Sequence, residues 1–262
     1  MIGEKILVDL EIGFEFPSYA FCVSADDQSH KLKCSGIEPD LYGNNVDLAI
    51  LELPTLRVLM AYDIPILGGV HLSQRFRQIN PIRLEEEIIV KGSITDINPH
   101  PRGCILSCKF TYRTSSGNLC VEAERSGIVP IGARKTSLGI PRPEECLDGF
   151  VEIAKRSLEP KKVAEFSSEA GNLIHSDPLV AIQHGFRAPI AAGLIGIHLY
   201  REAIEKHCAR PKYFDMEVWF RRPMFWDDTL SLVAKKEKGQ IAAMHLLGPN
   251  GKPTSNCVIH AL

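Results

Sequence analysis

A polar run at residues 167–178 holds the residue best suited to acid–base chemistry in this sequence. His175 stands two residues before Asp177 and Pro178, which together form a helix start, with the carboxylate as N-cap and the proline in the first turn. Because histidine can take up and return a proton near neutral pH without a large pKa shift, we predict that His175 is a general acid/base. The alternative, from spacing alone, is that its ring bonds the backbone and fixes the loop.

Three small residues stand at the start of a later apolar helix. Ala191, Ala192 and Gly193 precede this helix, and the first N–H groups of any helix lack partners inside it. Small side chains let a carbonyl oxygen approach such N–H groups, so the helix start is a candidate oxyanion site. The alternative is that the small residues merely permit close helix packing.

Other chemistry has less support from the sequence. Three further histidines, His71, His184 and His198, are predicted to be structural. There is no GxSxG, GxGxxG or P-loop motif, no Cys/His cluster with zinc spacing and no calcium loop. We therefore expect no metal and no other cofactor.

The elements that must position these residues follow the same order in both halves of the chain, helix and then strands. In the first half, residues 53–62 are helix-compatible, with Pro54 in the first turn. Strands are predicted at residues 87–94, 102–114 and 118–130, with turns at 98–101 and 115–117.

In the second half, a strand at residues 149–156 precedes the helix that begins at Asp177. Residues 191–208 form the next predicted helix, and it should be buried because apolar residues lie nearly all round its first turns. Further strands are predicted at residues 214–220, 229–236, 240–247 and 257–262, with a turn at 248–253.

A faint internal repeat supports two equivalent units. The segment with Phe76 and Pro81 matches the segment with Phe220 and Pro223 in residue type, and the two prolines stand about one small domain apart in the sequence. A linker-like stretch rich in glycine, proline and charge lies between the units. Each unit has the layout expected where a sheet curls around a central helix.

Composition limits the function classes. The 262 residues carry 30 Lys plus Arg against 32 Asp plus Glu, which excludes a disordered tail protein and gives no cationic field for nucleic acid. The chain lacks a signal-peptide pattern, and its longest weakly polar stretch is shorter than the roughly 20 residues that a membrane span needs. We expect a soluble, cytoplasmic protein with no nucleic-acid or membrane partner and with reduced cysteines.

The run Asn172-Leu173-Ile174-His175-Ser176-Asp177-Pro178, followed by Ala181, the segment at 185–190 and Gly193, resembles the MaoC-like family of (R)-specific enoyl-thioester hydratases and dehydratases. Residues 220–223 and 227–230 resemble that family's strand and turn after the central helix. Residues 67–130 are similar to the degenerate amino-terminal half of its two-unit members.

The resemblance implies an α+β double hotdog fold, in which two curved antiparallel sheets each wrap around a long central helix. Residues 1–131 would form the degenerate half, 132–148 the linker and 149–262 the MaoC-like half. It also implies a lyase of fatty acid or polyketide metabolism, which adds water across the 2,3 double bond of an acyl thioester or removes it. The acyl group would be carried on coenzyme A or acyl carrier protein and lie in a tunnel between the halves.

The resemblance assigns roles to individual residues. His175 matches the family histidine and Asn172 the asparagine of its motif, while Gly193, with Ala191 and Ala192 beside it, would polarise the thioester carbonyl. For coenzyme A phosphates, the available arginines are Arg187, Arg221 and Arg222. Fusing two halves in one chain removes the need for a dimer without forbidding a homodimer.

The family aspartate, five residues before the histidine, is Ala170 here, preceded by Glu169. Losing one member of an acid/base pair reduces the rate by roughly a hundredfold or more. Three interpretations stay open: Glu169 replaces the missing carboxylate, His175 works alone or with another residue on a different thioester reaction such as hydrolysis, or the chain binds an acyl thioester without turnover. For a thioesterase, the helix offers only Glu202 and Glu205, whose spacing predicts surface residues.

Overall fold

The computed structural model describes residues 11–62, 64, 68–130, 142–168, 171–208 and 211–262. The strands are β1 (Glu15–Phe21), β2 (Val70–Gln78), β3 (Ile88–His100), β4 (Gly103–Thr114), β5 (Leu119–Val129), β6 (Val151–Ser157), β7 (Phe214–Phe220), β8 (Thr229–Glu237), β9 (Gln240–Leu247) and β10 (Pro253–Ala261). The α-helices are α1 (Ala25–Cys34), α2 (Glu52–Ala61), α3 (Pro160–Ser167), α4 (Pro178–Gln183) and α5 (Gly193–His207). Short 3-10 helices span Leu48–Leu51 and Leu173–His175.

The strands pair into one antiparallel sheet in the order β1-β3-β4-β5-β2-β7-β10-β9-β8-β6. The first half, β1-β3-β4-β5-β2, has the same order as the second half, β6-β8-β9-β10-β7, and the halves meet where β2 pairs with β7. The prediction of two sheets therefore differs from the structure, because the edge strands of the two halves satisfy each other's backbone N–H and C=O groups. The antiparallel α+β architecture agrees with the prediction.

The internal repeat is visible in equivalent hydrogen bonds. Val46 N–H donates to Ile82 O at 2.9 Å, and Ala191 N–H donates to Met224 O at 2.7 Å. Each acceptor directly follows the repeated proline of its half, and each donor directly precedes the N-cap of the next helix. The two halves therefore join the helix start to the proline corner in the same way.

The acidic turn after each proline repeats as well. In the first half, Arg83 N–H donates to Glu86 Oε2 at 3.1 Å; in the second half, Phe225 N–H donates to Asp228 Oδ2 at 2.8 Å. When the two prolines are aligned, the two donors coincide and so do the two acceptors. The repeat read from the sequence thus corresponds to a repeated turn.

Helix α5 is the buried helix that the sequence predicts. Its residues from Leu194 to Ile204 are all buried. It packs on β9 and β10, where the Tyr200 hydroxyl donates to Ser255 O at 2.9 Å and Gly196 approaches the Leu246 side chain. In the first half the corresponding helix, α2, is shorter. The Tyr112 hydroxyl on β4 donates to Leu51 O at 2.6 Å and so joins β4 to the 3-10 helix that precedes α2.

Two side-chain contacts join the halves. His198 Nδ1 on α5 lies 2.5 Å from Asp47 Oδ2 in the first half, and both side chains are buried. Arg75 on β2 forms two hydrogen bonds with Asp215 on β7, at 2.8 and 2.7 Å. Because a buried polar group that loses its partner is unfavourable, these pairs favour one arrangement of the halves.

Several element predictions differ from the structure. Strand β3 runs on to His100 through Asn98 and Pro99, where a turn was predicted, because the hairpin turn lies one step later, at residues 101–102. Strand β10 begins at Pro253, ahead of its predicted start at Cys257. Three of the α-helices and strands were not predicted from the sequence, namely β1, α1 and α3, and β2 was implied only by the repeat at Phe76, without bounds.

Within the described ranges, no helix is both long enough and apolar enough to cross a membrane. All eight cysteines are free, which agrees with the prediction of reduced thiols.

Candidate active site

His175 ends the 3-10 helix Leu173–His175 and is half-buried. Asn172 begins this helix as N-cap, and its Oδ1 accepts a hydrogen bond from Ile174 N–H at 3.3 Å. Asp177 caps α4 just after it, accepting from Leu179 N–H at 2.8 Å. The N-cap and first-turn proline predicted at α4 are confirmed, and the two caps fix the backbone on both sides of His175.

The His175 ring is oriented by a backbone carbonyl. Its Nδ1 lies 2.7 Å from Ile190 O. A carbonyl oxygen can only accept, so Nδ1 carries the hydrogen and, in the neutral ring, Nε2 is the nitrogen that can take a proton. Burial lowers the pKa of His175 from its ordinary value, and the bond to Ile190 opposes this in part.

Ile190 joins the histidine segment to the start of α5. Its N–H donates to Ile174 O at 3.1 Å, while its carbonyl accepts from His175. Ile190 also forms a β-bridge with Phe225. One residue thus connects the 3-10 helix, the helix start and the acidic turn.

The start of α5 has no side-chain cap. Its N-cap residue is Ala192, whose side chain cannot accept a hydrogen bond. The N–H of Ala191 is already donated to Met224 O. Within the described chain, the N–H groups of Gly193 and Leu194 have no such partner, so they are the donors that can meet an oxyanion.

Glycine is the only residue type that fits at position 193 without a shift of the neighbouring atoms. A Cβ built there would lie 2.7 Å from the Phe220 ring, closer than real Cβ contacts. The glycine therefore lets the Phe220 ring pack directly on the helix start, as the alternative interpretation of close packing expects, and the approach of a carbonyl oxygen stays a prediction.

The equivalent helix start in the first half is closed by a carboxylate. Asp47 matches Ala192, because each follows the equivalent donor, Val46 or Ala191. It caps the 3-10 helix before α2 by accepting from Ala49 N–H at 3.2 Å, and its other oxygen faces His198. The Asp47 carboxylate thus occupies the first helix start, whereas the start of α5, which follows Ile190 and lies next to the His175 segment, has no side-chain cap.

The other predicted site residues are placed as follows. Glu169 and Ala170 lie outside the described residues. Arg187 pairs with two aspartates, with Nη2 lying 2.8 Å from Asp227 Oδ1 and 2.6 Å from Asp228 Oδ1. The pKa of Asp227 is lowered chiefly by its hydrogen bond to Arg187.

The remaining arginine candidates are also paired. Arg221 bonds Asn256 and Glu145, and Arg222 Nη2 lies 2.9 Å from Glu145 Oε2. The prediction that Glu202 is a surface residue is wrong. It is buried and pairs with Arg156 at 2.7 Å, because α5 packs its far end against β6.

A buried polar cluster beside the start of α5 could not be recognised in the sequence. The His71 ring lies 4.6 Å from the ring of Phe220, the residue that packs on Gly193. Glu52 is fully buried with its Oε1 2.8 Å from Arg125 Nε and 3.9 Å from His71 Nε2. Burial raises the pKa of Glu52 and lowers that of His71. These residues lie far apart in sequence, and no local pattern joins them.

Solved structures of several known proteins superpose on most of this chain. HtdX from Mycobacterium tuberculosis superposes with a TM-score of 0.74 at 20% identity, covering 94% of this chain and 99% of that chain. A MaoC-like dehydratase from Phytophthora capsici gives a TM-score of 0.72 at 15% identity, covering 95% of this chain and 96% of that chain. The chain has the fold of the MaoC-like dehydratases.

Two further solved structures share this fold. A Mycobacterium tuberculosis protein described as a double hotdog fold gives a TM-score of 0.66 at 12% identity, covering 99% of this chain and 98% of that chain. Full-length peroxisomal multifunctional enzyme type 2 from Drosophila melanogaster gives 0.71 at 18% identity, and the 94% of this chain that aligns covers 48% of that chain. No protein-family model and no curated protein matches the sequence. The resemblance noted in the sequence is thus confirmed as a likeness of fold.

Proposed function

We propose that the protein is an acyl-thioester hydratase/dehydratase in which His175 is the general acid/base. The observation that carries the proposal is the pairing of an oriented imidazole with an uncapped helix start. Ile190 O holds His175 Nδ1, and shortly after Ile190 the N–H groups of α5 are open. The MaoC-like fold supports the same reaction class.

In the proposed reaction the thioester carbonyl accepts hydrogen bonds from Gly193 and Leu194. These bonds stabilise the enolate that forms when the 2,3 double bond is attacked or when the C2 proton is lost. In the hydration direction, His175 Nε2 takes a proton from water while the water oxygen bonds to C3. In dehydration the protonated ring returns that proton to the departing hydroxyl.

The reaction also moves a second proton, at C2. Ala170 stands at the family position for a second acid or base, and alanine cannot carry a proton. Glu169 is our candidate for this role, because it is the carboxylate next to the family position. Asn172 supports the loop by capping the 3-10 helix. The acyl chain would lie between the two halves, carried on coenzyme A or acyl carrier protein.

Hydration of trans-2-enoyl-CoA substrates of increasing chain length tests the proposal. The full chain should consume the enoyl absorbance and form the 3-hydroxyacyl thioester, and His175→Ala should lower turnover about a hundredfold or more. Glu169→Gln, measured beside it, should lower turnover only if Glu169 supplies the second carboxylate. Circular dichroism of each variant shows whether the fold is kept.

Other outcomes assign other functions. An enoyl-CoA that raises the melting temperature without being converted identifies a binding module, which the loss of the aspartate at Ala170 favours. Release of free coenzyme A thiol identifies a thioesterase. Unchanged turnover in His175→Ala would remove this histidine from the reaction.

A further inference from the structure

The loop that orients His175 is fastened to the acidic turn by one arginine. The Arg187 guanidinium forms two hydrogen bonds with Asp227, at 3.0 and 2.8 Å, and one with Asp228, at 2.6 Å. Its Cζ lies 4.1 Å from the centre of the Phe225 ring. A guanidinium that forms hydrogen bonds with two carboxylates and stacks on an aromatic ring is held in a fixed position.

This ion pair lies at one end of a short hydrogen-bonded ladder. Trp226 N–H donates to Pro189 O at 3.0 Å, and Ala191 N–H donates to Met224 O at 2.7 Å. Between these two bonds lies Ile190, whose carbonyl holds His175. Movement of residues 187–191 relative to the turn would therefore move the imidazole.

His175 depends on this ladder because the caps beside it fix its backbone and leave the orientation of its ring to the bond with Ile190 O. The 3-10 helix has only three residues. In the described chain, the hydrogen bond found for the ring is the one to Ile190 O. A displacement of about 1 Å at a reacting group can reduce the rate by about a hundredfold.

The arginine is present only in the half that holds the histidine. When the halves are aligned on the donors Val46 and Ala191, the position of Arg187 corresponds to Tyr42, which is buried. The acidic turn of the first half has Glu85 and Glu86 where the second has two aspartates. Their carboxylates accept from the backbone N–H groups of residues 25 and 83, at 2.8 and 3.1 Å. The turn is common to both halves, but the arginine fork is not.

We propose that Arg187, held by Asp227 and Asp228, is a positioning residue for His175 and not a ligand of coenzyme A phosphates. This inference rests on the proposed function for its kinetic readout. It assigns the exposed Asp227 and the buried Asp228 to the same device, and it predicts that both act on the chemical step.

Arg187→Gln distinguishes positioning from phosphate binding when two thioesters are compared. Crotonyl-CoA carries phosphates, whereas crotonyl-N-acetylcysteamine carries none. A positioning role predicts that kcat falls about 10- to 100-fold for both thioesters, with KM changing less than about threefold. A rise of KM for crotonyl-CoA alone would show phosphate binding and overturn the proposal.

Two partner variants sharpen the comparison. Arg187→Lys keeps a point charge that can bind phosphate but not the planar fork, so it should not restore kcat. Asp227→Asn should lower kcat as Arg187→Gln does, and the double variant should be no worse than either single variant. If Arg187 bound phosphate instead, releasing it by Asp227→Asn would leave kcat intact. The control is Arg77→Gln, which removes a similarly exposed pair with Glu122, 3.3 Å apart, in the first half and should leave kcat and KM unchanged.

A readout without turnover separates this inference from the proposed function. Burial lowers the pKa of the His175 ring, and the bond to Ile190 O opposes this in part, so loosening that bond while the ring stays buried should lower the pKa further. NMR titration of His175 should therefore give a lower pKa in Arg187→Gln than in the unmodified protein. If the protein converts no enoyl thioester, the proposed function fails, and a lowered His175 pKa still supports the clamp. An unchanged or raised pKa in folded Arg187→Gln overturns the clamp whatever the activity.

Discussion

At the scale of single residues, the site depends on one hydrogen bond and one missing side chain. The bond from His175 Nδ1 to Ile190 O decides which ring nitrogen can accept a proton. The absent Cβ of Gly193 lets Phe220 pack on the helix start. Each of these features gives a prediction that can be measured.

The pH dependence of hydration should report the buried imidazole. Hydration needs His175 neutral, and burial lowers its pKa from 6.5, so the neutral form persists to a more acidic pH than in a free histidine. We expect kcat/KM for hydration to be lost as pH falls, with the midpoint of the acid limb below 6.5. Measuring kcat/KM for crotonyl-CoA across this range checks the prediction, and an acid midpoint above 6.5 would contradict it.

Gly193→Ala should damage the site, whereas Gly196→Ala one turn later should not. At position 193 the new methyl group would lie 2.7 Å from the Phe220 ring, so the ring or the helix start must shift. We expect a loss of about 1–3 kcal/mol in unfolding free energy and a fall in kcat of about tenfold or more.

At Gly196 the nearest atom to the new methyl group is Leu246 Cδ2, at an ordinary 3.5 Å. Alanine should be tolerated there, and its better helix propensity favours stability by about 0.5–1 kcal/mol. Urea unfolding and steady-state kinetics on both variants test the contrast. Equal effects at the two positions would show that the close approach at Gly193 has no role.

At the scale of elements, the two helix starts differ in their N-cap residue. Asp47 caps the first, and Ala192 leaves the second open. Ala192→Asp should let a carboxylate accept from the free N–H groups of α5, which stabilises the helix by about 0.5–2 kcal/mol. The same carboxylate should compete with the thioester carbonyl and lower kcat/KM.

Ala192→Ser and Ala192→Val are matched controls for this prediction. Serine caps a helix without charge, and valine adds bulk without a cap. We expect a rise in melting temperature for aspartate and serine only, and the largest kinetic loss for aspartate. If aspartate raised stability and left kcat/KM unchanged, the N–H groups of α5 would not be the oxyanion donors.

Local patterns predicted the second-half elements better than those of the first half. Strands β7 and β9 were predicted with the bounds the structure has, because β7 begins with the alternating run FDMEV and β9 is a short, largely apolar run between the turns at Gly239 and Gly248. The repeat at Phe76 implied strand β2, but no bounds were predicted for it because its sequence is largely polar, VHLSQRFRQ. It is a strand because both neighbours pair with it and because Arg75 meets Asp215 across the junction of the halves.

The same limit applies to the site. His175, its capped loop and the small residues at the start of α5 could be read from neighbouring positions. The carbonyl of Ile190 and the fork from Arg187 to Asp227 could not, since they join segments that are distant in sequence and meet only through the fold. Arg187 was assigned to phosphate from its charge, and its partners became visible only in three dimensions.

At the scale of the whole molecule, the two halves share one sheet and a buried side-chain hydrogen bond. The pairing of β2 with β7 makes the sheet continuous, and Asp47 and His198 join the first helix start to α5. A half without its partner would expose a sheet edge and leave one of these buried groups unpaired. The halves should therefore unfold together.

This cooperativity can be measured because both tryptophans, Trp219 and Trp226, lie in the second half. Their fluorescence follows that half, whereas far-UV circular dichroism follows the whole sheet. We expect the two urea transitions to coincide, as two-state unfolding requires. Asp47→Asn weakens the buried hydrogen bond to His198, so it should lower both midpoints together, with a loss of about 1–3 kcal/mol in unfolding free energy. A fluorescence midpoint that stayed in place while the circular dichroism midpoint fell would mean that the second half keeps its fold alone. In that case the closed helix start at Asp47 would be a local cap of the first half and not a link between the halves.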